Sequence, residues 1–179
     1  MKKTNPIFRF SKHLVSHRWQ VKRCFSDIAL HNIEKAIEVS EIKHEGEILF
    51  VVEAGLHPYE IIYKKTPKSR AIELFSRFHV WDTELNNGVL IYLLLADRDV
   101  EIVADRGIDK YVGHASWSAI CNEMEVMFMR GQFEAGVLHG IAQIGAQLER
   151  HFPLVDAKKT KATTTKKKRN EISNKPHIL

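Results

Sequence analysis

Cysteine is scarce in this chain: among 179 residues only Cys24 and Cys121 occur, with no CxxC pair. That excludes a disulfide scaffold and the usual zinc-binding spacings. Two distant thiols, with no export signal beside them, predict reduced cysteines in a cytoplasm. Long apolar runs are also lacking. The longest, Val89 to Ala96, falls far short of the ~20 residues a membrane helix needs. The opening stretch "MKKTNPIFRFSKHLVSHRW" is basic but has neither a continuous apolar centre nor a small-residue cleavage site, so a secretory signal is not expected. There is no GxSxG elbow, no Walker loop and no GxGxxG, and no organic cofactor is expected.

What is present is a partition of charge. The formal net charge is +5, but residues 1–23 carry seven Lys/Arg and no acid, and residues 157–179 carry eight against Glu171 alone. The intervening residues hold twelve basic and twenty-one acidic side chains, a net of −9. The alkaline pI of about 9.2 therefore belongs to the ends. An acidic body is a poor nucleic-acid groove, so no specific nucleic-acid partner is expected.

Hydrophobic period and turn residues predict the order α-β-α-β-β-α-α. Ser26 caps a helix from Asp27 to about His44, with Leu30, Ile33 and Ile37 on its apolar stripe and Glu34, Lys35, Glu38 and Glu41 facing out. "EILFVVEA", Glu47 to Ala54, reads as a buried strand. Gly55 to Thr66 is a connection whose "YEIIY" admits a short extra strand. Thr66-Pro67 opens a helix to about Phe78, carrying Ala71, Ile72, Phe75 and Phe78 on one side. Strands Gly88–Ala96 and Val100–Ala104 flank a tight turn at Asp97-Arg98 and pair antiparallel. Trp117, Ile120, Cys121, Met124, Met127 and Phe128 then follow helical spacing up to Gly131, and a last helix runs from Phe133 to His151. Gly136 and Gly140, four apart, allow it to approach a neighbouring helix. The helix-joined first two strands should be parallel. The fold class expected is α/β, a three-layer α/β/α sandwich around a small mixed sheet with a β-hairpin. The expected organisation is a basic segment 1–24, a domain 25–153 and a disordered Lys-rich tail 154–179.

The helix "AIELFSRFHVWDT", the strand "NNGVLIYLLLADR", the return "VEIVADRGI" and the later "FMRGQFEAGVLHGIAQIGAQL" follow one another as in the TPM domain. That family is named after a thylakoid lumen protein, a photosystem II repair protein and a worm receptor modulator. The chain resembles it well from Ala71 to Pro153 and more weakly from Phe25 to Ala54. The resemblance implies an α/β/α fold, with weak acid phosphatase activity and calcium binding in some members. Many members are exported and anchored by a C-terminal membrane helix, which this sequence does not show. In place of the segment that usually precedes the first helix it has "RFSKHLVSHRWQVKRCF". Both departures point to a short subgroup facing the cytoplasm.

Two groups of acids suggest sites. With Asp97-Arg98 as the turn, Leu90 should face Asp105 and Gly88 should face Gly107, returning Asp105 to the end where the chain enters through Asp82, Glu84, Asn86 and Asn87. Asp82, Asn87 and Asp105, supplemented by Thr83 or Glu84, offer the oxygen ligands a hard cation such as Ca2+ or Mg2+ takes. A cation there could hold a phosphate and a water, as a metal-assisted phosphatase requires. The same residues also suit plain turn chemistry, with Asp105 paired to Arg106 or Arg77. At the other end lie Glu53, Asp97 and Arg98, beyond the carboxyl ends of parallel strands, where open α/β sheets bind ligands. A solvated hairpin tip is the alternative.

No catalytic nucleophile stands out. Cys121 lies on an apolar stripe, and His13 and His17, four apart, read as surface residues without a third metal partner. The basic ends, with Phe10 and Trp19, would be drawn to anionic lipid. The function expected is a TPM-type accessory or binding module, with a divalent cation admitted, acting on protein partners at the cytoplasmic membrane face. A weak metal-dependent phosphatase is the alternative.

Overall fold

The computed structural model describes residues 6–14, 16, 18–154 and 170–179. Their elements are α1 (Pro6–Leu14), α2 (Arg18–Cys24), α3 (Asp27–Glu41), β1 (Glu47–Glu53), α4 (Pro58–Ile62), α5 (Pro67–Arg77), β2 (Gly88–Leu94), β3 (Asp99–Ala104), α6 (Arg106–Met129), α7 (Phe133–His151) and β4 (His177–Ile178). The sheet runs β3-β2-β1-β4. β1 and β2 are parallel and β2 and β3 antiparallel, as the connections require.

Alternation along the strands divides the core in two. Ile48, Phe50 and Val52, with Val89, Ile91 and Leu93, face α2, α3, α6 and α7. Leu49 and Val51, with Leu90, Tyr92 and Leu94, face α5 across Ala71 and Leu74. A sheet buried on both sides explains why β1 and β2 read as unbroken apolar runs. The expected three-layer α/β/α sandwich is the architecture observed.

The caps act as their sequence suggests. The Ser26 side chain accepts from the Ala29 amide, and Thr66 accepts from the Ser69 amide with Pro67 in the first turn. Gly136 and Gly140 serve an internal contact: a Cβ there would stand 2.6 Å from the Phe128 ring and 2.4 Å from Met124 Sδ. α6 is kinked at Gly113, whose φ of 74° is the left-handed region that glycine enters freely.

Several expectations are corrected. "YEIIY" forms the short helix α4, started by Pro58, rather than a strand. Glu41 is buried rather than facing out, because its Oε1 accepts from the Ile48 amide at 2.9 Å and so satisfies a donor on the edge of β1. Ile72 is exposed, and Leu74 takes the core position on α5. The hairpin slides by two residues: Leu94 pairs with Asp99 and Leu90 with Val103, leaving Leu95 to Arg98 as the turn. Arg98 adopts a positive φ of 52° there.

The tail expected to be structureless from 154 to 179 is ordered over residues 170–179, where His177 and Ile178 pair in parallel with Val51 and Val52. The remainder of that expectation, and His17, lie outside the described residues. The basic segment 1–24 holds α1 and α2, with Trp19 exposed and Phe10 half-buried. Among the described residues no helix is long and apolar enough to cross a membrane.

Candidate functional site

β1 and β2 end side by side, and the chain leaving β1 folds into α4 before returning along α5. This leaves a cavity of about 640 Å3 beyond their carboxyl ends, lined by His13, Glu53, Glu60, Lys65, Arg70 and Glu73 among others. The position is the one open α/β sheets favour for ligands. Glu53, at the last position of β1, points to the α5 side. Arg70 donates to it twice, Nε to Oε2 at 2.9 Å and Nη2 to Oε1 at 2.8 Å. The Tyr92 hydroxyl, one strand away, donates to Oε2 at 2.6 Å. Burial and the adjacent Glu53 charge hold the Tyr92 hydroxyl well above its ordinary pKa, so it remains a proton donor.

The network continues outward. Lys65 bridges Glu60, at 2.9 Å, and Glu73, and Arg70 Nη1 reaches Glu73 at 2.7 Å. The Lys65 hydrogen bond is the main reason the Glu73 carboxyl titrates low. Glu60 is also lowered: burial pushes it up, but Lys65, the His57 amide and Arg70 together outweigh that. The cavity is therefore densely charged, with its carboxylates already matched to cations.

His13 forms the other wall, and the expectation of a surface histidine is corrected. It is buried, its Nδ1 accepts from the Leu56 amide at 2.9 Å and its Nε2 faces Asp97 Oδ1 at 3.2 Å. An accepting Nδ1 leaves the proton on Nε2, the nitrogen nearer Asp97, although that contact falls short of hydrogen-bond geometry. Arg9 Nε donates to Asp97 Oδ2 at 2.9 Å. Burial pushes Asp97 up, but His13 and Arg9 outweigh it and the carboxyl stays below its ordinary range. The second expected group is thus partly assembled: His13 links Asp97 to the cavity holding Glu53. Arg98 turns away, reaching the Met129 carbonyl at 3.4 Å and lying over the Phe133 ring. Arg70, one turn into α5, takes the role expected of Arg98. Its partnership with Glu53 has no signature in linear spacing, because it depends on how α5 crosses the sheet.

The first expected group divides. Asp105 caps α6, its Oδ1 accepting from the Arg106 amide at 2.7 Å, and its own amide bonds to the Gly88 carbonyl. It stands opposite Gly88 rather than Leu90. Asp105 Oδ2 and Asn87 Nδ2 are both buried without a hydrogen-bond partner. Asn87 is fixed by its amide donating to Thr83 Oγ1 at 3.0 Å. Asp82 is exposed and lines a separate cavity of about 220 Å3 with His79, Glu171 and His177. Asp109, nearby in sequence, accepts from Trp117 Nε1. Among the described residues no group of three or more His, Cys, Asp and Glu is placed to hold a metal; a cation at Asp105 would need the Asn87 amide and backbone carbonyls.

Among the described residues no activated nucleophile borders either cavity. Ser16 donates to the Lys12 carbonyl, and the adjacent His13 accepts from the Leu56 amide through Nδ1 while its Nε2 faces the Asp97 carboxylate. Burial raises the Cys24 thiol and pushes Cys121 up to about 12, which keeps both thiols protonated and poorly nucleophilic.

The fold and this charged end define an α/β/α domain built on a parallel β1-β2 pair and a β2-β3 hairpin. The family model of the TPM domain matches residues 22–147, and the chain belongs to that family. Among solved structures it is similar to the BA42 protein of the psychrophilic bacterium Bizionia argentinensis, with 26% identity, a TM-score of 0.71, and 87% of this chain and 95% of that one covered. The N-terminal domain of a P. gingivalis protein shares the fold at 14% identity and a TM-score of 0.54, over 85% of this chain and 96% of that one. No curated protein matches the chain.

Proposed function

We propose that this TPM domain is a binding module that engages a protein partner through the end of the sheet bearing the Glu53–Arg70 cavity. The observation that carries this reading is on α4, one wall of that cavity. Glu60 turns inward, while Ile62 and the following Tyr63 are 67% and 82% exposed, and Tyr59, 56% exposed, lines the cavity itself. Large aromatic and aliphatic side chains beside a pocket are the usual anchors of a protein contact. The carboxylates and cations of the cavity neutralise one another and supply orientation, and among the described residues no side chain there is activated to attack a substrate. The basic ends and exposed Trp19 favour a partner held at an anionic membrane face.

A photo-crosslinking residue at position 63 in living cells tests this. One defined partner should be captured and then lost with Ile62→Ser or with Arg70→Ala. Capture unaffected by Ile62→Ser would sink the reading.

A weak metal-dependent phosphatase is the second reading, favoured by the buried, unpartnered Asp105 Oδ2. A flip of the Asn87 amide would present a second oxygen, and Ca2+ or Mg2+ would be held there with backbone carbonyls. Cation-dependent hydrolysis of a simple aryl phosphate, abolished by Asp105→Asn, would decide for it.

A further inference from the structure

The segment 170–179 is held against the edge of β1 by a short ladder and by side-chain contacts. Its ladder with β1 has two residue pairs, Val51 with His177 and Val52 with Ile178, whereas β1 and β2 share seven. Two backbone bonds extend it, Leu179 amide to Val52 carbonyl at 3.0 Å and Ala54 amide to Leu179 carbonyl at 3.3 Å. Side chains supply the remaining grip. Ile178 packs against the core on the α3 side of the sheet, and Ile172 and Leu179 against the core on the α5 side. The His177 ring lies 4.5 Å from that of Phe78. Asn174 Nδ2 donates to Glu41 Oε2 at 3.0 Å, and Glu41 uses its other oxygen for the Ile48 amide of β1.

We infer that the outer edge of β1 is a strand-addition site for an extended protein segment of the pattern Ile-x-Asn-x-x-x-Ile-Leu, and that residues 172–179 occupy it as an exchangeable ligand in cis. The pattern follows from what the groove reads: two apolar pockets on opposite faces of the sheet, and one buried carboxylate oxygen turned to the edge. β1 is buried along its length and apolar between its terminal glutamates, so an uncovered edge would invite pairing with other strands. Main-chain bonds give such a site its affinity and alternate side chains its selectivity. A short ladder joined to the body through residues 155–169 can open without disturbing the core, since local opening costs less than global unfolding. Because the segment is covalently joined to the body, it competes intramolecularly for its groove, so a partner must present a better version of the same pattern. Opening would also remove Glu171, Ile172, Ser173 and His177 from the wall of the smaller cavity and uncover the half-buried Phe78.

The test uses the full chain with a site-specific protease sequence in place of residues 160–165. A fluorescent peptide of residues 170–179 is titrated into the intact and the cut protein, and its anisotropy followed. The cut protein should bind it saturably, roughly tenfold or more tightly than the intact one, where the tethered segment competes. A peptide carrying Asn174→Ala and Ile178→Asp should fail. Equal binding to both forms, or equal binding of the substituted peptide, would overturn the inference. Should the cut protein lose its fold, hydrogen exchange on the uncut native chain decides. The Ala54 and Leu179 amides should exchange well ahead of the amides between β1 and β2; protection equal to theirs would make the segment a fixed part of the sheet and sink the proposal.

Discussion

Arg70 holds Glu53 in a two-pronged clasp, its Nε and Nη2 at 2.9 and 2.8 Å from the two carboxylate oxygens, at the only acidic position that β1 places beside the larger cavity. Removing the guanidinium would strand a buried carboxylate. Arg70→Ala should therefore cost about 3–5 kcal/mol in urea unfolding. Arg70→Lys keeps the charge without the fork and should cost less, about 1–2 kcal/mol. Equal losses for both would show that bidentate geometry is unimportant here.

Asp99 has the opposite environment. Burial, then Glu101, Glu125 and Asp97, push its carboxyl up to about 7. The folded state thus holds a proton the unfolded chain releases near pH 4, and stability falls as pH rises from about 4 to about 7. Asp99→Asn should stabilise the protein at pH 8 by about 1–2 kcal/mol, after allowing for screening by nearby water. Near pH 4 it should change little. Thermal melts of both proteins across that range test the sign.

At the other end of the sheet, Asp105→Ala removes the cap of α6 and should cost about 1 kcal/mol, whereas Asp105→Asn, also a capping residue, should cost a few tenths. Should a cation bind there, Ca2+ at a hundredfold over its dissociation constant would add about 2.7 kcal/mol to the native protein. Both substitutions would abolish that gain. Melts in EDTA and in Ca2+ separate the capping role from the cation role.

Gly88 opens β2 directly beneath a backbone carbonyl. A Cβ there would stand 2.0 Å from the Val80 oxygen. Gly88→Ala should destabilise the domain by about 2–4 kcal/mol, as overpacking against backbone does. Gly131→Ala, with open space around it, should lose only the smaller cost of its positive φ. Denaturant midpoints of the two variants give the comparison.

Local signals along the chain set the elements and their order. Ser26 and Thr66-Pro67 mark helix starts through local hydrogen bonds, and the apolar runs of β1 and β2 announce a sheet covered on both faces. These signals act within a few residues, so they are legible in a linear string. Tertiary structure decided what pairs across distance. The hairpin register slid by two because packing of both faces, rather than the Asp97-Arg98 turn alone, set it. Arg70 rather than Arg98 came to Glu53 because α5 returns over the sheet there. Glu41, which looked like a solvent-facing charge, became buried because the edge of β1 needed an acceptor and Asn174 supplied a donor more than a hundred residues away. Residues 170–179 carry too little apolar content to predict a strand; β1 provides the missing half of their hydrogen bonds and the surface their side chains need.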